Sequence, residues 1–435
     1  MPALRTGGHP AVRHGLLGAQ PGWEGRADYE RGGGYQPGLS GADLITAVAA
    51  SGLRGRGGAA FPVARKLATV AAQAGEKVVL VNGEEGEPAS VKDRWLLRAR
   101  PHLVIDGALR AAEAIGARTV WLYVSDPASA LSLDAAVAEL GAVSSATLSS
   151  ATLPSAPLEL RVFRVEASYV AGEETAAVNA VNGRPAKPSE KPPRPFEEGV
   201  GGRPTLVTNV ESVANLPGVS GGTAGAGQAF LMTLGGAIPR PGLYEVPFGI
   251  PLGEVTEVLG GLAGAARGYV MGGYFAGLVS SRGHGLPLDY DALKAEGTGL
   301  GCGAVTVLGP DDCPVGVAAL LLAYYGRENA GQCGSCFNGT AAMAGVAAAL
   351  ARGEARTADI ERLAGWTGFL PGRGACATLD GAVNVAASLL LEFPDEVAAH
   401  QTRACAACAA TDFLTTDSPF AVSPGSITPT VGATL

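Results

Sequence analysis

A chain of 435 residues with a formal net charge of −8 has length enough for two to four domains and lacks the basic face that duplex nucleic acid requires. Nearly half of its residues are apolar, so a sizeable core is available, yet the longest apolar stretch, near Val315–Tyr325, is shorter than the roughly 20 residues of a membrane span. No apolar block of signal-peptide length follows Arg5, His9, Arg13 and His14, so the expected setting is soluble and cytoplasmic, with no direct membrane insertion.

Residues 1–40 are rich in Gly, Pro and Arg and read as an irregular N-terminal segment. A short helix over Asp43–Ala50, with Ser40 as its candidate N-cap, leads into the glycine-rich loop Gly52-Leu-Arg-Gly-Arg-Gly-Gly-Ala-Ala-Phe61. Glycines let backbone N–H groups crowd an anion, and Arg54 and Arg56 add forked donors, so a phosphate or a flavin edge suits the loop. It follows a helix rather than a strand, unlike the usual dinucleotide fingerprint, and a solvated loop is the plain alternative.

The run Val78–Val81 reads as a strand that opens directly into Asn82-Gly-Glu-Glu-Gly-Glu-Pro88 and then Lys92-Asp93-Arg94. Open α/β sheets bind ligands at such strand ends. Carboxylates there accept from ribose hydroxyls and repel a 2′-phosphate, which favours NADH over NADPH; taken alone, the run could be an acidic surface turn. A helix over Leu103–Ile115, a strand over Thr119–Val124, a helix over Pro127–Leu140, a loop over 144–157 and a strand over Leu158–Val165 follow. Gly172-Glu173-Glu174-Thr175 then opens another helix, where paired glutamates suit the dipole whether or not they bind anything. Strands alternating with helices imply an α/β layer over 41–220. A proline-rich loop spans residues 185–204.

Short β-like runs at Gly242–Val246 and Gly268–Met271, with a Gly272-Gly273 turn, indicate a small β-grasp unit over 221–313. Residues 314–403 are Ala/Leu-rich with helical spacing and read as a helical bundle; 404–435 is expected to be a disordered tail. Seven cysteines, an odd number in a long chain, argue for metal or redox use rather than a disulfide framework. Cys333-x-x-Cys336 followed by Cys376 can hold a metal or one face of a cluster. Cys405-x-x-Cys408 is a second pair, but its distance from the first exceeds that of zinc ribbons, and buried free thiols are the alternative. Cys302 and Cys313 are expected in packing roles. His9, His14, His102, His284 and His400 form no spaced pair that suggests a metal or a catalytic triad.

Five stretches in this order resemble the NADH-binding flavoprotein subunit of respiratory complex I, a module also found in NAD-dependent hydrogenases and formate dehydrogenases. They are Gly52–Pro62, Asn82–Arg94, Tyr169–Thr175, Asn209-Val-Glu-Ser212, and Cys333-Gly-Ser-Cys336 with Cys376. The likeness covers about residues 40–400. It implies an α/β, Rossmann-like FMN domain, a ubiquitin-like β-grasp (SLBB) domain and a C-terminal helical bundle carrying an iron–sulfur site. By resemblance, Gly55, Arg56, Gly57, Lys66, Asn82, Glu84, Glu85, Gly172, Glu173, Glu174, Thr208 and Asn209 line the FMN. Phe61 stacks on NADH, Glu87 and Lys191 hold its polar parts, and Cys333, Cys336 and Cys376 ligate a 4Fe-4S cluster.

The implied activity is NADH dehydrogenase: hydride from NADH to FMN, then single electrons to the cluster and an external acceptor. A ferredoxin or a small iron–sulfur subunit is the implied partner, within a larger redox complex.

Five positions depart from the family pattern. Ala330 stands where the family has the first cluster cysteine, and Phe337 replaces an arginine. Leu67, Thr69 and Arg194 alter the adenine platform, with Phe196 as a substitute aromatic. A three-iron cluster, a non-cysteine fourth ligand, donation by Cys302, Cys405 or Cys408, and a lost cluster all stay open. A degenerate flavin-binding or scaffold paralogue is the alternative reading, followed by a flavin reductase without a cluster and a zinc module.

Overall fold

The computed structural model describes residues 4–18, 22–141, 158–411, 413 and 418–425. The expected loop at 144–157 lies outside them.

A short strand, β1 (Arg5–Gly8), begins the described chain. Four strands then build a parallel sheet: β2 (Val78–Asn82), β3 (Thr119–Val124), β4 (Glu159–Arg164) and β5 (Thr205–Asn209). The order across the sheet is β4-β3-β2-β5. The chain steps outward from β2 to β4 and then crosses back, so β5 pairs with the opposite edge of β2. Strand order reverses there, and Asn82 and Asn209 stand side by side in register at the C-terminal ends. A parallel sheet opens a ligand crevice at such a switch point. The apolar runs of β2 and β5 are buried because helices cover the sheet, including Pro101–Ile115.

A second sheet comprises β6 (Ala229–Gly236), β7 (Gly242–Pro247), β8 (Gly268–Met271), β9 (Leu278–Ser280) and β10 (Ala304–Leu308). Its order is β1-β7-β6-β10-β8-β9. β6 and β10 pair in parallel at the centre, antiparallel neighbours flank them, and the helix Leu252–Val258 packs into the same core. This is the arrangement of a β-grasp unit.

Residues 314–400 form the expected bundle, with helices Pro314–Glu328, Gly334–Ala351, Thr357–Phe369, Thr378–Glu392 and Pro394–His400. Gly334–Ala351 is long and apolar enough to cross a bilayer by length and composition. Its Met343, Ala347 and Leu350 are buried against neighbouring helices, as in the core helix of a bundle.

Some of the described residues in both terminal segments are held by distant partners. β1 adds to the sheet edge beside β7, and Tyr29, on the helix Arg26–Arg31, is buried with its hydroxyl donating to Asp106 at 2.7 Å. Within the expected tail, Ala406–Ala409 is helical, Phe413 is buried, and the Val422 amide donates to the Pro88 carbonyl at 3.0 Å. Partners far away in the sequence supply this order, which local composition does not report.

Candidate functional site

The ends of β2 and β5, the glycine loop, the second sheet and the helical bundle enclose a cavity of about 860 Å³. That volume is within the usual range for a cofactor site. Every residue expected to contact FMN or NADH lines it, and so do Cys376, Cys302 and the altered platform residues Leu67, Thr69, Arg194 and Phe196.

The glycine loop hangs between the helices Gly41–Ser51 and Val63–Ala71 and is closed by Gly55 N–H to the Phe61 carbonyl at 2.8 Å. Gly58 has a φ of +103°, which only glycine adopts without strain. The two arginines do not offer the cavity their side chains as expected. Arg56 is fully buried; its guanidinium donates to the Gly227 and Ala229 carbonyls at 3.0 Å and lies over the Phe248 ring. Arg54 forms two hydrogen bonds with Asp291. Both tie the loop to the unit built on the second sheet, and the loop meets the cavity mainly through backbone.

At the end of β2, Asn82 donates to the Gly172 carbonyl at 2.7 Å and accepts from the Glu84 amide. A side chain on Gly86 would stand 2.9 Å from the Tyr169 carbonyl, so glycine lets these two segments meet. The three glutamates of this turn differ sharply. Burial raises Glu84 to about 8, and its Oε2 has no partner among the described residues. Burial also raises Glu87 to about 8, although the Tyr274 and Ala89 amides donate to it. Burial acts on Glu85 too, but Arg94 and Lys92 hold it below the usual carboxylate range. It accepts from Ser90 at 2.6 Å and from the Arg94 amide at 3.0 Å, tying the turn to the first turn of Lys92–Ala99.

Opposite, the Glu173 carboxylate caps the helix Glu174–Val181 by accepting from the Thr175 and Ala176 amides. Lys191 bonds to both Glu173 and Glu174 at 2.8 Å; burial works against its charge, but these contacts hold it above its ordinary value. Lys66 donates to the Val207 carbonyl at 2.7 Å. It lines the cavity, and burial within the enclosing walls lowers its pKa. Phe61 is 44% exposed, an open ring at the rim. Asn209 bridges Asp93 at 2.6 Å and the Glu211 amide at 2.9 Å.

Sequence reasoning missed a buried charge network behind the site. Lys92 lies 2.8 Å from Asp93 and 3.2 Å from Glu211, and Arg56 lies 3.4 Å from Glu211. Lys92, Asp93 and Glu211 look like ordinary surface charges in the sequence; the one signal was that both stretches lie among those that carry the family resemblance.

Cys333 caps the helix Gly334–Ala351, Cys336 lies in its first turn, and Cys376 precedes Thr378–Glu392. The Ala375 amide donates to the Cys333 sulfur at 3.4 Å, and Cys376 meets the Thr378 hydroxyl at 3.3 Å. Helix N-termini and N–H donors favour thiolate and cluster charge, so the set suits an iron–sulfur cluster with three protein thiolates. At position 330 the backbone carbonyl accepts from Lys187 at 2.9 Å. Cys405 and Cys408 lie apart from this set, gathered with Cys313 and His400.

An unpaired buried carboxyl at a parallel-sheet switch point, with one cysteine of the candidate cluster set on the same cavity wall, suits a flavin beside an iron–sulfur centre, as in flavin and iron–sulfur oxidoreductases. Residues 48–218 match the Nuo51 FMN-binding domain, and 316–400 match the NADH-ubiquinone oxidoreductase-F iron-sulfur binding region. The F subunit of NADH-quinone oxidoreductase in Mycobacterium tuberculosis is 33% identical over 376 residues, covering 82% of this chain and 84% of the relative. The second F subunit of the same oxidoreductase in Rhizobium meliloti is 33% identical over 403 residues, covering 87% and 94%. A chain of an NAD+-reducing NiFe hydrogenase crystal structure in the H2-reduced state superposes with a TM-score of 0.73 at 28% identity. The match covers 82% of this chain but only 62% of the hydrogenase chain. The chain belongs to the family of NADH-quinone oxidoreductase F subunits, and it carries that family's FMN-binding domain and iron–sulfur binding region.

Proposed function

We propose that this chain works as an NADH dehydrogenase module, with FMN in the shared cavity and an iron–sulfur cluster on Cys333, Cys336 and Cys376. Bound FMN supplies the chemistry that accepts a hydride and releases its two electrons singly. The protein supplies position and field. Backbone at Gly55, Arg56 and Gly57, with Asn82, Gly172, Thr208 and Asn209, shapes the floor. Glu84, neutral at pH 7, offers its unpaired oxygen to a polar ring edge. The ionised Glu85, the lysine-paired Glu173 and Glu174, and Lys66 set the local field. Phe61 stacks on the nicotinamide nucleotide, while Glu87 and Lys191 engage its polar parts. The carboxylates of Glu85, Glu173 and Glu174 disfavour a 2′-phosphate and thus NADPH.

The observation that carries this reading is the shared wall: Cys376 lines the same cavity as Glu84 and Asn209. An electron leaving the flavin site therefore has a cluster ligand beside it. The acceptor is a ferredoxin or a small iron–sulfur subunit within a larger, cytoplasmic redox assembly. An anaerobic visible spectrum tests the proposal. NADH, and not NADPH, should bleach a flavin band and lower a broad cluster absorbance. A chain that stays colourless after reconstitution with FMN, iron and sulfide would overturn it.

Ala330 supports a second reading, a flavin reductase without a cluster. Absence of iron and sulfide in a protein whose flavin NADH still bleaches would establish that one instead.

A further inference from the structure

The helical domain gathers a second group of metal-ligating side chains that the flavin cavity and the Cys333, Cys336 and Cys376 set do not use. Cys313 caps Pro314–Glu328, His400 ends Pro394–His400, Cys405 caps Ala406–Ala409, and Cys408 lies within that turn. Their four ligand atoms all lie within 4.8 Å of one another. We infer that these side chains form a closed tetrahedral site for one zinc ion.

The spacing selects a single ion. Zinc–sulfur bonds of about 2.3 Å and zinc–nitrogen bonds of about 2.0 Å in a tetrahedron put ligand atoms about 3.5 to 3.8 Å apart. His400 Nε2 lies 3.4 Å from the Cys313 sulfur and 3.7 Å from the Cys408 sulfur. A cubane holds each thiolate on a different iron and spreads them further. Cys333, Cys336 and Cys376 form no such tight group among the described residues, so the two cysteine sets differ in the chemistry they fit.

The histidine is oriented for ligation. Its Nδ1 donates to the Glu396 carbonyl at 2.8 Å, one turn back, which leaves the Nε2 lone pair directed at the sulfurs. Cys313, Cys408 and His400 are buried and Cys405 is half-buried, a largely enclosed setting that suits a structural zinc site. Gly316 makes room: a side chain there would stand 3.0 Å from the Cys408 sulfur. Three thiols and an imidazole converge at the edge of the core with no ion-pair partner among the described residues.

The ion would clip the chain after His400 to the start of Pro314–Glu328. Beyond that clip, the chain returns to the flavin domain, where Arg94 donates to the Val422 carbonyl at 3.2 Å and Arg98 to the Gly425 carbonyl at 2.7 Å. The clip thus precedes the described stretch 418–425, which bonds to the helix Lys92–Ala99.

Elemental analysis and zinc-edge X-ray absorption on the full-length protein test the inference, and neither readout depends on NADH oxidation. The expected result is one zinc per chain beyond any iron, bound by three sulfurs and one nitrogen. Cys405→Ser and His400→Gln proteins should lose the zinc and keep their iron and FMN. Should either variant fail to fold, cobalt incorporated into the unaltered protein should give the intense visible absorption of a tetrahedral thiolate site. Three results would each overturn the inference: zinc far below one per chain even after zinc supplementation, a zinc shell without sulfur, or variants that lose iron in place of zinc.

Discussion

The guanidinium carbon of Arg56 lies 4.6 Å from the Phe248 ring centroid, so a residue of the flavin-site loop is clamped to an aromatic of the second domain. Glu211 neutralises it from the first domain, 3.4 Å away. The clamp makes the loop's shape depend on domain docking. Arg56→Ala leaves Glu211 buried with a partner missing, which typically costs about 3–5 kcal/mol. The expected outcome is a large fall in melting temperature together with loss of FMN on gel filtration. Arg56→Lys should restore little, since lysine cannot reach two carbonyls and stack at once. A variant that melts like the parent would show that the clamp is dispensable.

Phe61 offers the opposite case. Its ring is 44% exposed, with the Arg65 guanidinium over it at 5.7 Å, so removing it leaves little cavity in the core. Phe61→Ala should raise KM for NADH about five- to tenfold, the loss of about 1 kcal/mol of stacking, with an unchanged melting temperature. Steady-state kinetics beside a thermal melt separate the two effects. An unaltered KM would remove Phe61 from the nucleotide platform.

The flavin-free protein should lose stability as pH rises through neutrality. Burial raises Glu84 and Glu87 to about 8 in the folded chain, against an ordinary value of 4.5. Between those limits the native state binds more protons than the unfolded chain, so unfolding free energy falls with increasing pH. Melting temperature should be lower at about pH 8.5 than at about pH 6, and Glu84→Gln should reduce that slope. A slope unchanged by Glu84→Gln would mean that this carboxyl titrates normally.

The α/β layer, the β-grasp unit and the bundle were legible because each has its own periodicity and punctuation. The cavity was legible because glycines and carboxylates cluster just after β2 and before Glu174–Val181, where a parallel sheet opens. What stayed hidden depends on distant partners. The roles of Arg54 and Arg56 are decided by Asp291, Phe248 and two carbonyls in another domain. Cys313 looks solitary because 87 positions separate it from His400. The chain ends look irregular because β1 and Val422 find their backbone partners in β7 and Pro88.

The last prediction concerns Ala330. Asn329 shapes its loop by donating to the Gly326 carbonyl at 2.8 Å and accepting from the Gly331 amide at 3.0 Å. These bonds, and the Lys187 contact to the Ala330 carbonyl, involve no atom of the Ala330 side chain. A cysteine can therefore enter without disturbing them. With three thiolates, one iron of a cubane lacks a protein ligand and is the first to leave on oxidation. Mild oxidation of the reconstituted parent protein should lower its iron content by about one quarter, and Ala330→Cys should hold that iron. The measurement is iron per chain before and after oxidation, with zinc counted separately. If both proteins retain their iron equally, another group supplies the fourth ligand, and Cys302, on the same cavity wall as Cys376, is the first residue to replace.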